Sequence, residues 1–234
     1  MWQANVFTIF PDAFPGTLGV SVIGKALEQK KWNLNLIDLK KFPVKSDRID
    51  SPPYGGGEGM ILSPAVFERA FQTLSSEMRK WKKIYFSPRG RRLRQSDFEE
   101  LARLPGITML CGRYEGVDQR IIDFYETEEI SVGDFVLPGG ETAAMIVAEG
   151  CVRLLPEVVG NGDSLRNDSF QNFLLEYDQY TKPEIFNALS TPEILLSGDH
   201  RKIAEFRLNQ SKKITAERRP DLWAEYIDKM LSGK

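Results

Sequence analysis

The sequence predicts an α/β protein with a parallel sheet, followed by a small helical domain. Short apolar runs that are typical of buried strands alternate with segments of helical spacing up to about residue 158. Beyond Lys182-Pro183, apolar residues recur at helical spacing to the end of the chain. Between the two parts, residues 160–168 are polar and contain two glycines, a composition typical of a linker. We therefore expect two domains joined by a flexible segment.

The predicted strands are short and apolar, and two of them end where a proline follows. Pro11 ends the first strand and Pro88 the third, because proline lacks the N–H that a central strand needs. In chain order the strands cover residues 6–10, 34–39, 84–87, 107–111 and 128–132. They alternate with helices at residues 20–30, 64–79, from 96 onward and 141–155. Ser63 is the expected N-cap of the second helix, and a capping box from Ser96 to Glu99 opens the third.

Composition places the chain among soluble globular proteins. Its 234 residues can bury a sizeable core, and 41% are hydrophobic and 27% charged. No apolar run approaches the roughly 20 residues of a membrane span, and the first ten residues lack the pattern of a signal peptide. We therefore expect a cytoplasmic protein with no membrane partner.

Cysteine and histidine are scarce, which limits the chemistry available. Cys111 and Cys151 lie in apolar runs and are interpreted as buried thiols, in preference to a disulfide or a metal site. His200 is the single histidine, so a multi-histidine metal site is excluded and a histidine-dependent triad is disfavoured. The sequence thus indicates chemistry that depends on other residue types.

Positive charge is concentrated in one segment of a chain whose net charge is −2. Residues 79–94, RKWKKIYFSPRGRRLR, contain eight basic residues and no acidic one, so the rest of the chain is clearly acidic. Such segregation favours one positive face that attracts a phosphate backbone. The alternative is a solvated turn between two elements.

Residues 107–141 combine buried strands with glycines and exposed polar residues. The strand 107–111 ends at Gly112, and Arg113, Tyr114 and Glu115 follow at its carboxyl end, where open α/β sheets bind ligands. After the next strand come a glycine turn, an apolar lip and the glycine pair 139–140. Glycines let backbone groups approach a ligand closely, although any one of these turns alone would pass for an ordinary βα turn.

A second glycine-rich loop, SPPYGGGEGMILSP, covers residues 51–64. Three consecutive glycines after Pro-Pro-Tyr do not hold a regular element, so we expect a mobile loop. The loop matches neither GxxxxGK[ST] nor GxGxxG. The missing phosphate loop disfavours a nucleotide hydrolase.

Four motifs together resemble those of one family. They are GRYEGVDQR (112–120), SVGDFVLPGGE (131–141), SPPYGGGEGM (51–60) and SPRGR (87–91). These motifs resemble those of the bacterial tRNA (guanine-N1)-methyltransferases, of the SPOUT superfamily, and the similarity extends from residue 6 to residue 222. The resemblance implies a trefoil knot within residues 84–140, which periodicity alone does not indicate. The expected organisation is a knotted α/β cofactor-binding domain (1–159), a flexible linker (160–176) and a helical tRNA-binding domain (177–234).

The resemblance implies methyl transfer from S-adenosyl-L-methionine to N1 of the guanosine immediately 3′ to the anticodon. Asp168 corresponds to the family's catalytic aspartate, Arg153 to the arginine that contacts guanine O6, and Glu115 would orient Arg153 or the base. From the residues alone, Asp168 would be the N-cap of a helix over 169–176, and Arg153 a helix-dipole partner or surface charge. The alternative role of Glu115 is a buried ion pair with Arg113.

The resemblance also supplies the binding residues and partners. The cofactor pocket is expected to consist mainly of backbone groups from Ser87, Pro88, Gly112, Tyr114, Gly116, Val132, Gly133, Asp134, Phe135, Val136, Leu137, Gly139 and Gly140. The expected RNA contacts are Arg89, Arg91, Arg92, Arg94, Lys182, Arg201 and Lys212. Mg²⁺ is a candidate second cofactor through Glu115 and Asp168, although no spacing demonstrates a metal site. A homodimer with an active site shared between subunits is the expected assembly.

Two alternative functions remain open at this point. The chain would be another SPOUT-type RNA methyltransferase that acts on a different nucleotide, or an RNA-binding relative that has lost catalysis. The presence of Asp168 and Arg153 beside a complete glycine set disfavours the second alternative.

Overall fold

The structure, a computed structural model, describes residues 1–44, 48–159 and 168–232. The chain divides into two compact units, Met1–Gly160 and Asn161–Lys234. The first unit contains the predicted α/β fold, and the second contains the helices near the end of the chain. No helix among the described residues is both long enough and apolar enough to cross a membrane.

A five-stranded parallel sheet forms the centre of the first unit. Its strands are β1 (Trp2–Thr8), β2 (Trp32–Asp38), β5 (Lys82–Arg92), β6 (Gly106–Leu110) and β7 (Glu128–Ser131), in the order β2-β1-β6-β5-β7. The short strands β3 (Asp50–Ser51) and β4 (Ile61–Leu62) form a separate antiparallel pair. All pairs within the large sheet are parallel, so the predicted α/β class is confirmed.

Helices cover both faces of the sheet, as all-parallel sheets require. They are α1 (Ser21–Glu28), α2 (Pro64–Gln72), α3 (Gln95–Ala102), α4 (Gln119–Phe124) and α5 (Glu141–Val152). Val6 packs with α1 and α5 on one face, whereas the next residue, Phe7, packs with α2 and α4 on the other. Met109 and Leu110 divide between the same two layers. This alternation explains why neighbouring residues such as Val6 and Phe7 are both apolar and buried.

The longest strand differs from its prediction. β5 does not stop at Pro88 but continues to Arg92, because its pairing with β7 shifts register between Phe86 and Arg91. Proline is tolerated where a bulge interrupts the ladder. The backbone N–H of Leu93 then donates to Ser131 O at 2.8 Å, so the basic segment is held against β7.

Helix boundaries also differ from their predictions. α3 begins at Gln95, where the carboxylate of Asp97 accepts from the backbone N–H of Arg94 at 2.6 Å, so the predicted Ser96–Glu99 box is wrong. α2 ends at Gln72 rather than at residue 79, and a separate 3-10 turn covers Met78–Lys80. α5 ends at Val152, three residues before its predicted end. The side chain that first satisfies the free backbone N–H groups decides where such a helix begins.

The second unit begins with a hairpin and continues with three helices. The hairpin pairs β8 (Ile185–Phe186) with β9 (Leu189–Ser190), which the helical prediction for this region missed. The helices are α6 (Glu193–Leu196), α7 (His200–Arg218) and α8 (Pro220–Ser232). Leu222 and Tyr226 are buried in α8, whereas Leu208 of α7 and Leu231 of α8 are exposed.

Residues 168–176, which we assigned to the linker, pack within the second unit. The predicted helix over 169–176 does not form, and a 3-10 turn at Gln171–Phe173 stands in its place. The N–H of Leu175 donates to Thr215 Oγ1 at 2.8 Å, and Lys229 Nζ donates to Asn172 Oδ1 at 2.9 Å. The earlier part of the proposed linker, residues 160–167, lies outside the described residues.

Candidate active site

A cavity of about 970 Å³ lies at the carboxyl ends of β5, β6 and β7. All the predicted cofactor residues except Asp134 line it, and so do Arg89 and Glu115 from the other predicted sets. The polar residues after β6 and the segment after β7 therefore meet in one place. Parallel strands bring their carboxyl ends to the same edge, which explains why distant motifs converge.

Glycines shape the cavity where backbone or a large side chain passes close by. A Cβ on Gly112 would lie 2.9 Å from the Tyr85 hydroxyl, and one on Gly116 would lie 2.7 Å from it. A Cβ on Gly140 would lie 2.7 Å from Cα of Cys111. Gly116 also has a φ of +113°, which side-chain-bearing residues rarely adopt. At these three points the chain has no room for a side chain, so substitution would displace Tyr85 or the backbone at Cys111.

The glycine-rich loop 51–62 closes one side of the cavity. It is attached through backbone hydrogen bonds, from Glu115 N to Met60 O at 3.0 Å and from Leu62 N to Gly116 O at 3.0 Å. This attachment brings Pro53, Tyr54 and Ile61 to the cavity, and none of the three was predicted as a site residue. The aromatic and proline residues just before the glycine triplet were the available signal.

Glu115 is exposed in the cavity and rests against the same loop. A Cβ on Gly59 would lie 2.6 Å from Cγ of Glu115, and Gly59 has a φ of +85°. Gly59 is therefore required both by its backbone conformation and by the space that Glu115 occupies. A side chain at position 59 would therefore displace Glu115.

Arg113 pairs with Glu141, so its predicted ion pair with Glu115 is wrong. Arg113 Nε donates to Glu141 Oε2 at 2.9 Å, and Thr8 Oγ1 donates to Glu141 Oε1 at 2.7 Å. The Arg113 guanidinium also lies over the ring of Phe10, 4.5 Å from its centroid. Glu141 is 2% exposed and is the first residue of α5, where a carboxylate is stabilised by the helix dipole.

Arg153, another predicted catalytic residue, is not among the described residues that line this cavity. Arg153 is the C-cap residue of α5 and is absent from the described lining residues, whereas Gly140 and Ala143 at the opposite end of the helix contribute to the wall. A helix of twelve residues is about 18 Å long. Asp168 belongs to the second unit. The structure therefore brings Glu115 to the cavity and leaves Arg153 well away from it.

The basic segment is less positive than its composition predicts, because acidic side chains accompany it. Arg89 Nη2 lies 3.2 Å from Glu129, and Arg91 Nη1 lies 2.8 Å from Asp97. Asp134, the one predicted cofactor residue outside the cavity, pairs with Arg92. Arg91 and Lys82 both pair with Glu128. Burial raises the pKa of Glu128, but hydrogen bonds from Lys82 and Arg91 outweigh it, and the pKa is lowered.

The predicted RNA contacts of the second unit differ in exposure. Lys182 and Arg201 are exposed. Lys212 is half-buried, and its ammonium lies 5.9 Å from the ring centroid of Tyr226, within the range of a cation–π contact. All three side chains therefore contribute positive charge to the second unit.

Both cysteines are free and buried. Burial raises the pKa of the Cys151 thiol to about 12 and raises that of Cys111 well above its usual range. Neither thiol is therefore ionised at neutral pH, as expected for structural cysteines. Within the described ranges, no group of three or more His, Cys, Asp or Glu residues is placed to hold a metal ion.

The cavity lies at the carboxyl edge of a parallel sheet, is lined by glycines and has a carboxylate beside it. This arrangement is typical of α/β enzymes. The chain matches the family described as tRNA (Guanine-1)-methyltransferase TrmD over residues 2–225. It therefore belongs to that family, and the predicted family and enzyme class are confirmed.

Proteins of the same description are similar along almost their whole length. A tRNA (guanine-N(1)-)-methyltransferase of Ruegeria sp. (strain TM1040) is 47% identical over 228 residues, which cover 97% of this chain and 93% of that protein. One from Ehrlichia ruminantium (strain Gardel) is 49% identical, with 95% of each chain covered. One from Cereibacter sphaeroides (strain KD131 / KCTC 12085) is 48% identical, with 96% and 92% covered.

Proposed function

We propose that this protein transfers a methyl group from S-adenosyl-L-methionine to N1 of the guanosine immediately 3′ to the anticodon in tRNA. The observation that carries the proposal is the glycine-walled cavity in a chain of the tRNA (guanine-1)-methyltransferase family. The exposed basic side chains and the absence of a membrane-spanning helix among the described residues agree with a cytoplasmic RNA enzyme.

The cavity residues fit the proposed cofactor. Gly112 and Gly140 line the cavity without side chains, and Val132, Phe135 and Leu137 add apolar surface that suits a flat adenine. Backbone groups of residues 132–137 would hold the adenine of the cofactor. Backbone groups of residues 112–116 and 139–140 would hold the rest of the cofactor. When bound, S-adenosylmethionine supplies an electrophilic methyl group on a positively charged sulfur. The protein therefore has no need of a nucleophile.

The chain's own residues would prepare the guanine for methylation. Asp168 would accept the N1 proton, and the Arg153 guanidinium would stabilise the negative charge that develops on O6. Glu115, held by its contact with Gly59, would orient the base or Arg153. Mg²⁺ would be held by Glu115 and Asp168, and chelation with EDTA tests whether activity needs it.

We further propose that the active site is shared between the subunits of a homodimer. The observation in favour is that Arg153 lies at the far end of α5 from the cavity of its own chain. A second chain would have to supply the Arg153 guanidinium. In this proposal the same second chain also supplies Asp168. Isologous dimers of this kind produce two equivalent composite sites.

The proposed RNA contacts lie in the basic segment of the first unit and, separately, in the second unit. Arg89, Arg91 and Arg92 are exposed by about half or more despite their acidic partners, so they remain able to contact phosphates. Arg94 lies beside them, and Lys182, Arg201 and Lys212 would add charge from the second unit. A phosphate backbone would then compete with Glu129, Asp97 and Asp134 for the arginines.

A trefoil knot within residues 84–140 is also part of the proposal. In its favour, the segment after β7 returns to the turn after β6, where Gly140 N donates to Gly112 O at 3.1 Å and Arg113 pairs with Gly139. Single-molecule stretching tests it, since a knotted chain pulled from its ends stays shorter than its full contour length.

The decisive experiment is incubation with labelled S-adenosylmethionine and unmodified tRNA, followed by mapping of the methylated nucleoside. We expect N1-methylguanosine next to the anticodon, preferentially when another guanosine precedes it. Label on a ribose oxygen or another base would indicate a different SPOUT-type methyltransferase. Binding of tRNA and cofactor without transfer would indicate a catalytically inactive relative.

A further inference from the structure

A buried carboxylate joins three segments around the cavity. Glu141 accepts from Thr8 at the end of β1 and from Arg113 after β6, and it begins α5 directly after the glycine pair. Arg113 in turn donates from Nη1 to Pro138 O at 3.4 Å. A Cβ on Gly139 would lie 2.1 Å from Arg113 Nε, so the arginine stem is packed against this backbone.

Arg113 is the least exposed of the three arginines that line the cavity. Its side chain is 25% exposed and that of Glu141 is 3% exposed, whereas the lining residues Arg89 and Arg120 are 69% and 71% exposed. Solvent screens exposed charges strongly and buried charges much less. Solvent therefore screens the charge of Arg113 less than that of the other cavity arginines, and Glu141 is the anion that offsets it.

We propose that Glu141 is a positioning residue that also cancels the charge of Arg113, so that the cavity accepts a sulfonium. This inference rests on S-adenosylmethionine being the cofactor. The cofactor carries a positive sulfur, whereas the product, S-adenosylhomocysteine, carries a neutral thioether. A cavity wall with an uncompensated guanidinium would repel the cofactor and leave the product largely unaffected.

The two possible roles of Glu141 predict different binding results. If the role of Glu141 is purely structural, Glu141→Gln weakens the binding of cofactor and of product equally, because both ligands use the same backbone groups. Charge compensation requires that the cofactor loses more affinity than the product. A unit charge about 10 Å away at an effective dielectric constant of about 20 changes affinity on the order of tenfold.

The test is calorimetric titration of the full-length protein with S-adenosylmethionine and with S-adenosylhomocysteine. We expect the ratio of the two dissociation constants, cofactor over product, to rise about tenfold in Glu141→Gln. Thr8→Val is the matched control, since it removes the neighbouring hydrogen bond without changing charge, and it should leave the ratio unchanged. Glu141→Asp keeps the anion and should restore most of the wild-type ratio.

Two outcomes would overturn the inference. One is an unchanged ratio in a folded Glu141→Gln protein, and the other is an equal rise in Thr8→Val. If Glu141→Gln does not fold, Arg113→Gln in alkaline buffer provides the test instead. The Glu141 carboxylate then lacks its cation, so the ratio of the two dissociation constants, cofactor over product, should fall. An unchanged ratio there would be equally decisive. Failure of the wild-type protein to bind either ligand would instead refute the proposed cofactor.

Discussion

Two inactive variants combined in one dimer distinguish a shared active site from a self-contained one. Gly112→Val disables the cofactor cavity, because its Cβ would meet the Tyr85 ring at 2.9 Å, and both residues line the wall. Gly140→Trp would block the cavity too, but its Cβ would meet the backbone of Cys111 and threaten the fold. The second variant is Asp168→Asn, which leaves the cavity intact.

The expected recovery follows from the geometry of α5 and from random pairing. Arg153 lies about 18 Å along the helix from the cavity of its own chain, so catalytic groups and cavity would come from different subunits. Half of the dimers are then mixed, and each mixed dimer has one site with both defects and one with neither. About a quarter of wild-type activity should return.

The assay uses co-expression of the two variants with different affinity tags and purification through both tags. This selects mixed dimers, whose activity should be about half that of wild type. Arg153→Ala should complement Gly112→Val in the same way and should fail to complement Asp168→Asn. A chain that carries both Gly112→Val and Asp168→Asn, paired with wild type, is the reciprocal control: a shared site leaves no live site in that dimer, whereas a self-contained site leaves one.

Zero activity in verified mixed dimers would refute the shared site. It would mean that each chain's Asp168 serves its own cavity, so that every site in the mixture is defective. Recovery with Asp168→Asn but not with Arg153→Ala would keep the shared aspartate and remove the argument from α5.

Three further predictions concern single features. Asp168→Asn should abolish transfer in single-turnover assays and leave cofactor affinity near wild type; normal transfer would show that another group takes the proton. Alanine at Arg91, Arg92 and Arg94 should reduce the salt dependence of tRNA binding, lowering the slope of log affinity against log salt concentration by about 2 to 3. Cofactor binding should stay unchanged. An unchanged slope would place these arginines away from the RNA. Cys151, with its pKa raised to about 12 by burial, should be alkylated only on unfolding, as mass spectrometry would show.

The sheet and the cavity edge could be predicted because local patterns specify them. Runs such as residues 107–111 are apolar at every position, as required for strands buried on both faces. Gly112 and Gly140 marked the points where backbone had to pass close to its neighbours. These signals depend on adjacent residues, so the sequence contains them directly.

Features that depend on contacts between distant residues could not be predicted. β5 passes Pro88 because β7 accepts a bulge opposite it, and no residue near Pro88 indicates this. Arg113 has Glu115 two residues away, yet it pairs with Glu141. The reason is that the first residue of α5 lies against the turn after β6. The acidic partners of the basic segment also come from other parts of the chain, among them Glu128 and Asp134.

The glycines of the cavity have a consequence for inhibitors that would bind the peptide groups beside them. A backbone N–H or C=O group is the same in every residue except proline, which lacks the N–H, so most point mutations cannot remove it. Side chains added at Gly112 or Gly140 would collide with Tyr85 or Cys111 and damage the enzyme together with the inhibitor site. Resistance to a compound that binds only these groups should therefore arise through expression or uptake, whereas compounds that rely on Tyr54 or Val136 leave the chain free to escape by substitution.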